Sequence, residues 1–227
     1  MDDERISRRT SLATLGGLVA GAAGLAGWRA AGEAAGGPAA VAEGLVRCVL
    51  SPEQTEGPFH LDLDRVRRDI TEEKPGVPLT LRLRVVDAST CRPIRRAAVD
   101  VWHCDAAGVY SGVQGDTGTF LRGIQRTDAK GWATFRTIYP GWYPGRTVHV
   151  HVKVALGGNV VHTGQLYFPD TVTDAVYRRA PYDRRPDRRP RNGGDAIFRN
   201  GGRRSTLKLA RSGAGYVGSI AMGVMRG

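Results

Sequence analysis

Leu79-Thr80-Leu81-Arg82-Leu83-Arg84-Val85 alternates apolar and polar side chains without a break. Successive side chains of an extended strand point to opposite faces, so this pattern predicts a strand with one dry face and one wet face. The signal repeats on either side of it. Ala97 to His103 carries Val99 and Val101 on one face, and Trp132 to Ile138, Val148 to Val154, Val160 to Phe168 and Gly215 to Val224 read as further strands. Turn chemistry separates them: Ser89 to Pro93, Asp128 to Gly131, the Pro/Gly-punctuated loop Pro140 to Gly145, and Gly157-Gly158-Asn159. Residues 111–130 and the tract from about Tyr177 to Arg204 read as loops. Seven or so short strands with turns between them predict an all-β domain, a β-sandwich, over residues 76–227. Residues 43–75 read as an irregular entry segment.

The composition agrees. Hydrophobic residues make up 41% of the 227, which supplies a core and argues against disorder. Residues 1–42 read as a leader instead. Arg8-Arg9 precedes a mild, Gly/Ala-rich apolar run that is too short and too rich in Gly for a membrane span, and Ala40-Val41-Ala42 offers a cleavage site. This resembles a Tat export signal. The expectation is a protein outside the cytoplasm with no stable membrane association after cleavage.

Three cysteines follow the leader: Cys48, Cys91 and Cys104. An oxidising compartment allows one disulfide, of unspecified pairing, and one free thiol. No C-x-x-C pair supports a zinc knuckle. The net charge of +11 stays with residues 43–227, because four arginines and four acids cancel in the leader. Much of the excess lies between Arg178 and Arg211. No nucleic-acid motif accompanies it, so the expectation is a solvated basic surface and no nucleic-acid partner.

The chemistry concentrates in Val148-His149-Val150-His151-Val152. Residues i and i+2 of a strand share a face, so His149 and His151 stand about 7 Å apart along it. Two imidazoles backed by core valines suit a metal; two structural histidines are the alternative reading. A cupin or a 2-His-1-carboxylate site needs a well-placed acid, but Lys153-Val154-Ala155-Leu156 follows. None of Asp105, Asp116, Asp128 or Asp170 stands out by spacing. The nearby residues are tyrosines: Tyr143, six residues before His149, and Tyr110, in a Gly-flanked loop after another strand. Phenolates are hard anionic donors that favour a ferric ion.

Taken in order, Pro52 to Phe59, Val99 to Gly112, Arg122 to Asp128, Thr137 to His151 and Thr163 to Pro169 resemble the intradiol ring-cleavage dioxygenases. The resemblance spans roughly residues 47–224. It implies non-haem Fe(III) held by Tyr110, Tyr143, His149 and His151, with O2 as co-substrate. It makes Tyr110 and His149 equatorial, and Tyr143 and His151 axial, with Tyr143 the ligand that leaves. It places Arg146 and Gln165 beside the substrate and Gly57, Pro58 and Phe59 in a pocket wall. The implied substrate is a small catechol, opened between its hydroxylated carbons to a cis,cis-muconate-type product.

Two departures from the family pattern stand out. No helical N-terminal dimerisation domain fits between leader and core, which leaves the oligomeric state open. The short Tyr143–His149 stretch implies a low, open rim that tolerates bulky catechols; six residues still span up to about 20 Å, enough for both to reach one ion. The competing readings are a noncatalytic binding module using aromatics near Trp142, and a zinc hydrolase.

Overall fold

A computed structural model describes residues 48–226 except 114 and 188. The leader and its cleavage site therefore lie outside the described residues. The strands are β1 (Pro78–Asp87), β2 (Ala98–Trp102), β3 (Arg122–Arg126), β4 (Trp132–Ile138), β5 (His149–Leu156), β6 (Asn159–Tyr167), β7 (Lys208–Ser212) and β8 (Gly215–Val224). Two helices, α1 (Asp170–Val176) and α2 (Ala196–Arg199), lie between β6 and β7.

The strands form two four-stranded sheets, ordered β4-β1-β8-β7 and β3-β2-β5-β6. All pairings are antiparallel except β1 with β8. Leu79, Leu81, Leu83 and Val85 of β1 are buried in one core with Val99 and Val101 of β2 and Val150, Val152 and Val154 of β5. The alternation read from the sequence thus faces one sheet toward the other, and this burial is the main stabilising contribution. The fold is an all-β sandwich.

Alternation on β5 sends His149 and His151 to the outer face of the second sheet. The entry segment covers that face. Gln54 N–H bonds the Thr163 carbonyl (2.9 Å), and Arg67 N–H bonds that of Ile124 (3.0 Å). Cys48 pairs with Cys91 in a disulfide, tying this segment to the turn after β1, and Cys104 is free and buried.

Two sequence expectations need correction, and one strand is not anticipated. β3 lies inside the stretch read as loop. Arg122-Gly123-Ile124-Gln125-Arg126 shows no apolar alternation, because its two buried residues are an arginine and a glycine on opposite faces. β7 is an edge strand whose residues are mostly exposed, so it too lacks an apolar signature. The 177–204 tract holds α2 and three short 3-10 turns rather than only loop.

The expected solvated basic surface is also corrected in part. Arg185 lays its guanidinium 4.1 Å from the Trp142 ring centre and bonds the Trp142 carbonyl (2.8 Å). Arg189 is buried and pairs with Asp174 (2.5 Å) and Asp187 (2.7 Å). An irregular tract lacks a ladder to satisfy its polar groups, and guanidiniums with five donors take that part.

Candidate metal centre

Four aromatic side chains converge at the start of β5. His149 and His151 come from the strand, Tyr143 from the loop before it, and Tyr110 from the loop after β2. Tyr143 Oη lies 3.0 Å from His149 Nε2, and His149 Nε2 lies 3.1 Å from His151 Nε2. The Tyr110 and Tyr143 ring centres are 5.6 Å apart, and Tyr110 and His151 6.1 Å.

His149 Nδ1 donates to the Thr147 carbonyl at 2.7 Å. That contact fixes the tautomer and leaves Nε2 with a lone pair aimed at the cluster. A hydroxyl and a second imidazole nitrogen crowd this one lone pair. Tyr110 Oη and His151 Nδ1 are buried with no hydrogen-bond partner. Buried polar atoms without partners are costly, so the bare Tyr110 Oη beside the crowded His149 Nε2 fits a cation there; His151 faces the cluster through Nε2, and its unpartnered Nδ1 points away.

The electrostatics fit the same reading. Burial, reinforced by the Arg146 charge, holds the His149 imidazole down to about 3. Burial and then the neighbouring His149 depress His151 as well. Both rings are therefore neutral donors at ordinary pH. Burial pushes the phenols of Tyr110 and Tyr143 above their ordinary values, with Arg146 opposing the rise. Such phenols ionise readily only against a strongly charged Lewis acid.

Phe59 stacks on Tyr110 at 4.5 Å and meets Tyr143 edge-on at 5.9 Å. Gly57 adopts φ +72°, and a Cβ there would stand 3.3 Å from His151 Cε1. Pro58 between them is exposed. Arg146 Nη2 donates to Gln165 Oε1 at 2.5 Å, and Gln165 Nε2 to the Thr55 carbonyl at 2.9 Å. Gln165, on β6, is buried.

Several supporting residues carry no clear signal in the sequence. Trp102 lies opposite His151 in the β2–β5 register and stacks on it. Arg122 is buried and ties the site's loops together. Its Nη1 donates to the Phe59 carbonyl (2.7 Å) and its Nη2 to the Ser111 carbonyl (2.7 Å). Asp195 accepts from Arg146 Nε (2.9 Å) and the Thr147 N–H (2.9 Å). Burial raises the Asp195 pKa, but the Thr147 N–H and the Arg146 charge outweigh it and hold the carboxyl below its ordinary value.

Among the described residues no three His, Cys, Asp or Glu side chains group as a metal site, so the zinc-hydrolase reading gains no ligand set. Trp142 is buried beneath Arg185, so it is not itself exposed for polymer binding. A cavity of about 580 Å³ lined by Arg95, Arg96, Arg126 and Arg226 lies beside the β5–β6 turn, at the far end of β5 from His149.

Known proteins with this architecture agree. Residues 50–178 match the family model described as Dioxygenase. The chain is 34% identical to the intradiol ring-cleavage dioxygenase from Tetranychus urticae, with TM-score 0.76 over 78% of this chain and 95% of that one. It is also 34% identical to the dioxygenase domain of a dioxygenase carbohydrate-binding protein fusion from Streptomyces sp. SirexAA-E. The TM-score there is 0.61, over 78% and 99% of the two chains. A stretch of 130 residues is 33% identical to the protocatechuate 3,4-dioxygenase beta chain of Burkholderia cepacia, covering 48% of this chain and 54% of that protein. The chain thus spans about half the length of this curated relative. It belongs to the intradiol ring-cleavage dioxygenase family.

Proposed function

We propose that this chain is an exported, Fe(III)-dependent dioxygenase that opens catechol-type rings between their hydroxylated carbons. The observation that carries the reading is the gathering of Tyr110, Tyr143, His149 and His151, with a fixed lone pair on His149 Nε2 and an unpartnered, buried Tyr110 Oη. Two neutral imidazoles and two phenols suit a ferric ion, because two phenolates offset two of its three charges. Ferric iron, when bound, would ionise a catechol and draw electron density from its ring, so that the ring reacts with O2.

The protein's own residues supply the rest. Tyr143 is less deeply buried than Tyr110 and sits in a Pro/Gly loop, so it is the phenol placed to yield to substrate. Its Oη takes up a proton from the arriving catechol. Arg146 holds a fixed positive charge beside the site and stabilises negative charge developing on the ring. Phe59 and Gly57 wall the pocket against Tyr110 and His151. The Tat-type leader fits a protein that is folded around its metal before export.

Turnover of a catechol panel under 18O2 tests the function. The reading predicts a muconate-type product carrying both labelled atoms. Absence of ring opening across the panel, or opening beside rather than between the hydroxyls, contradicts it.

A further inference from the structure

The segment between β6 and β7 contributes no group to the chemistry proposed above, yet it sends one buried carboxylate to the site's edge. The side chain of Asp195 is 1% exposed. Its Oδ1 accepts from the N–H groups of Ile197 (2.8 Å) and Phe198 (3.1 Å), capping α2. Its Oδ2 accepts from Arg146 Nε and from the Thr147 N–H, each at 2.9 Å. One oxygen therefore serves the helix and the other serves the loop that leads into β5.

That loop carries two functions in adjacent residues. Arg146 brings the positive charge. Thr147 brings the carbonyl that receives His149 Nδ1. Asp195 thus accepts from the guanidinium at Nε while Gln165 accepts from it at Nη2. A guanidinium bound at Nε and at Nη2 cannot rotate about its long stem, whereas an unpinned arginine carries large rotamer freedom. Stabilising a transition state requires the charge to be in place before it is needed. We propose that Asp195 is a positioning residue for this reaction, fixing the Arg146 guanidinium beside the substrate ring. The inference rests on the ring-cleavage reading of the site.

The plainer role is that of a helix cap alone, and Asp195→Asn separates the two. Asn caps a helix about as well as Asp. With its carbonyl on α2, however, its NH2 group faces the Arg146 Nε–H and the Thr147 N–H, donor against donor. A mere cap tolerates the change, and a positioning residue does not.

The experiment compares wild type, Asp195→Asn, Arg146→Gln and the double variant, each as the iron-loaded protein. The readouts are the visible band, the anaerobic dissociation constant for catechol, and kcat. We expect Asp195→Asn to keep the band and to bind catechol within about threefold of wild type, while kcat falls at least about tenfold. In the Arg146→Gln background the same change costs no more than about twofold, because residues acting through one another are not additive. Full kcat in Asp195→Asn, or losses that multiply in the double variant, overturns the proposal. Should Asp195→Asn fail to fold, Asp195→Ser still caps α2 but withdraws the acceptor from Arg146, and the same comparison applies. A colourless wild type inactive on every catechol overturns the functional reading itself; a coloured, active wild type with a fully active variant overturns the role of Asp195 alone.

Discussion

The imidazole of His151 lies flat on the indole of Trp102, ring centres 4.9 Å apart and planes within 5°. The two residues face each other across the β2–β5 ladder, so the register itself sets the stack. On its other side Trp102 meets His60 edge-on at 4.5 Å, and His60 Nε2 contacts Asp100 Oδ2 at 3.0 Å. His151 Nδ1 has no hydrogen-bond partner, so the stack in place of a hydrogen bond orients the ring. Trp102→Phe shrinks that platform but also removes a buried indole N–H that has no partner. The expected result is a stability change within about 1 kcal/mol and iron loss to a chelator about tenfold faster. Chelator competition followed by absorbance measures the second effect.

Gly57→Ala strains a backbone at φ +72° and presses a Cβ toward His151 Cε1. Gly157→Ala, in the β5–β6 turn at φ +59° with open space around it, carries the backbone strain alone. Both should lose about 1–2 kcal/mol in urea titrations. Only Gly57→Ala should shift the visible band of the iron-loaded protein.

The buried imidazole of His103 gives a pH dependence of stability. Burial lowers its pKa from 6.5 to about 4. The ring contacts the Cys104 carbonyl at 2.8 Å and Thr137 Oγ1 at 2.7 Å. Between pH 6.5 and 4 the unfolded chain holds a proton here that the folded protein excludes. Unfolding therefore takes up a proton, and falling pH favours it. This contribution to stability is complete above pH 6.5, declines as the pH drops, and levels off below about 4, for a total of about 3 kcal/mol. His103→Gln should flatten that part of the stability–pH curve, measured as the difference from wild type in urea.

Arg122 reaches the carbonyls of Ser111 and Phe59 at once, which a lysine cannot reproduce with one ammonium. Arg122→Lys should cost about 2–3 kcal/mol by leaving buried acceptors unpaired. It should also raise KM for a catechol, because Phe59 loses its anchor. Arg126→Lys, exposed at the other end of β3, should stay within about 0.5 kcal/mol. Chemical denaturation and steady-state kinetics on the pair read both effects.

What the sequence reveals depends on whether the physics is local. β1 and β5 are legible because apolar and polar side chains alternate over seven consecutive residues, and the same rule puts His149 and His151 on one face. β3 is illegible because its buried residues are Arg122 and Gly123, held through hydrogen bonds and ladder pairing that no hydrophobic pattern records. The Cys48–Cys91 pairing depends on where the entry segment crosses the first sheet. Asp195 meets Arg146 from 49 positions away, out of an arginine-rich tract that composition marks only as basic. Trp102 is recognisable as a buried aromatic, but its stack on His151 follows from a strand register that only the assembled sheet defines.

On the proposed function, Tyr110, Tyr143, His149 and His151 together hold ferric iron. The visible spectrum of aerobically purified protein, taken with its iron content, tests that most directly. The expected result is a burgundy solution with tyrosinate-to-iron absorption and bound iron, and loss or shift of that band in Tyr110→Phe and His149→Ala. A colourless, iron-free protein that stays colourless after addition of iron, or an unchanged band in both variants, would contradict it.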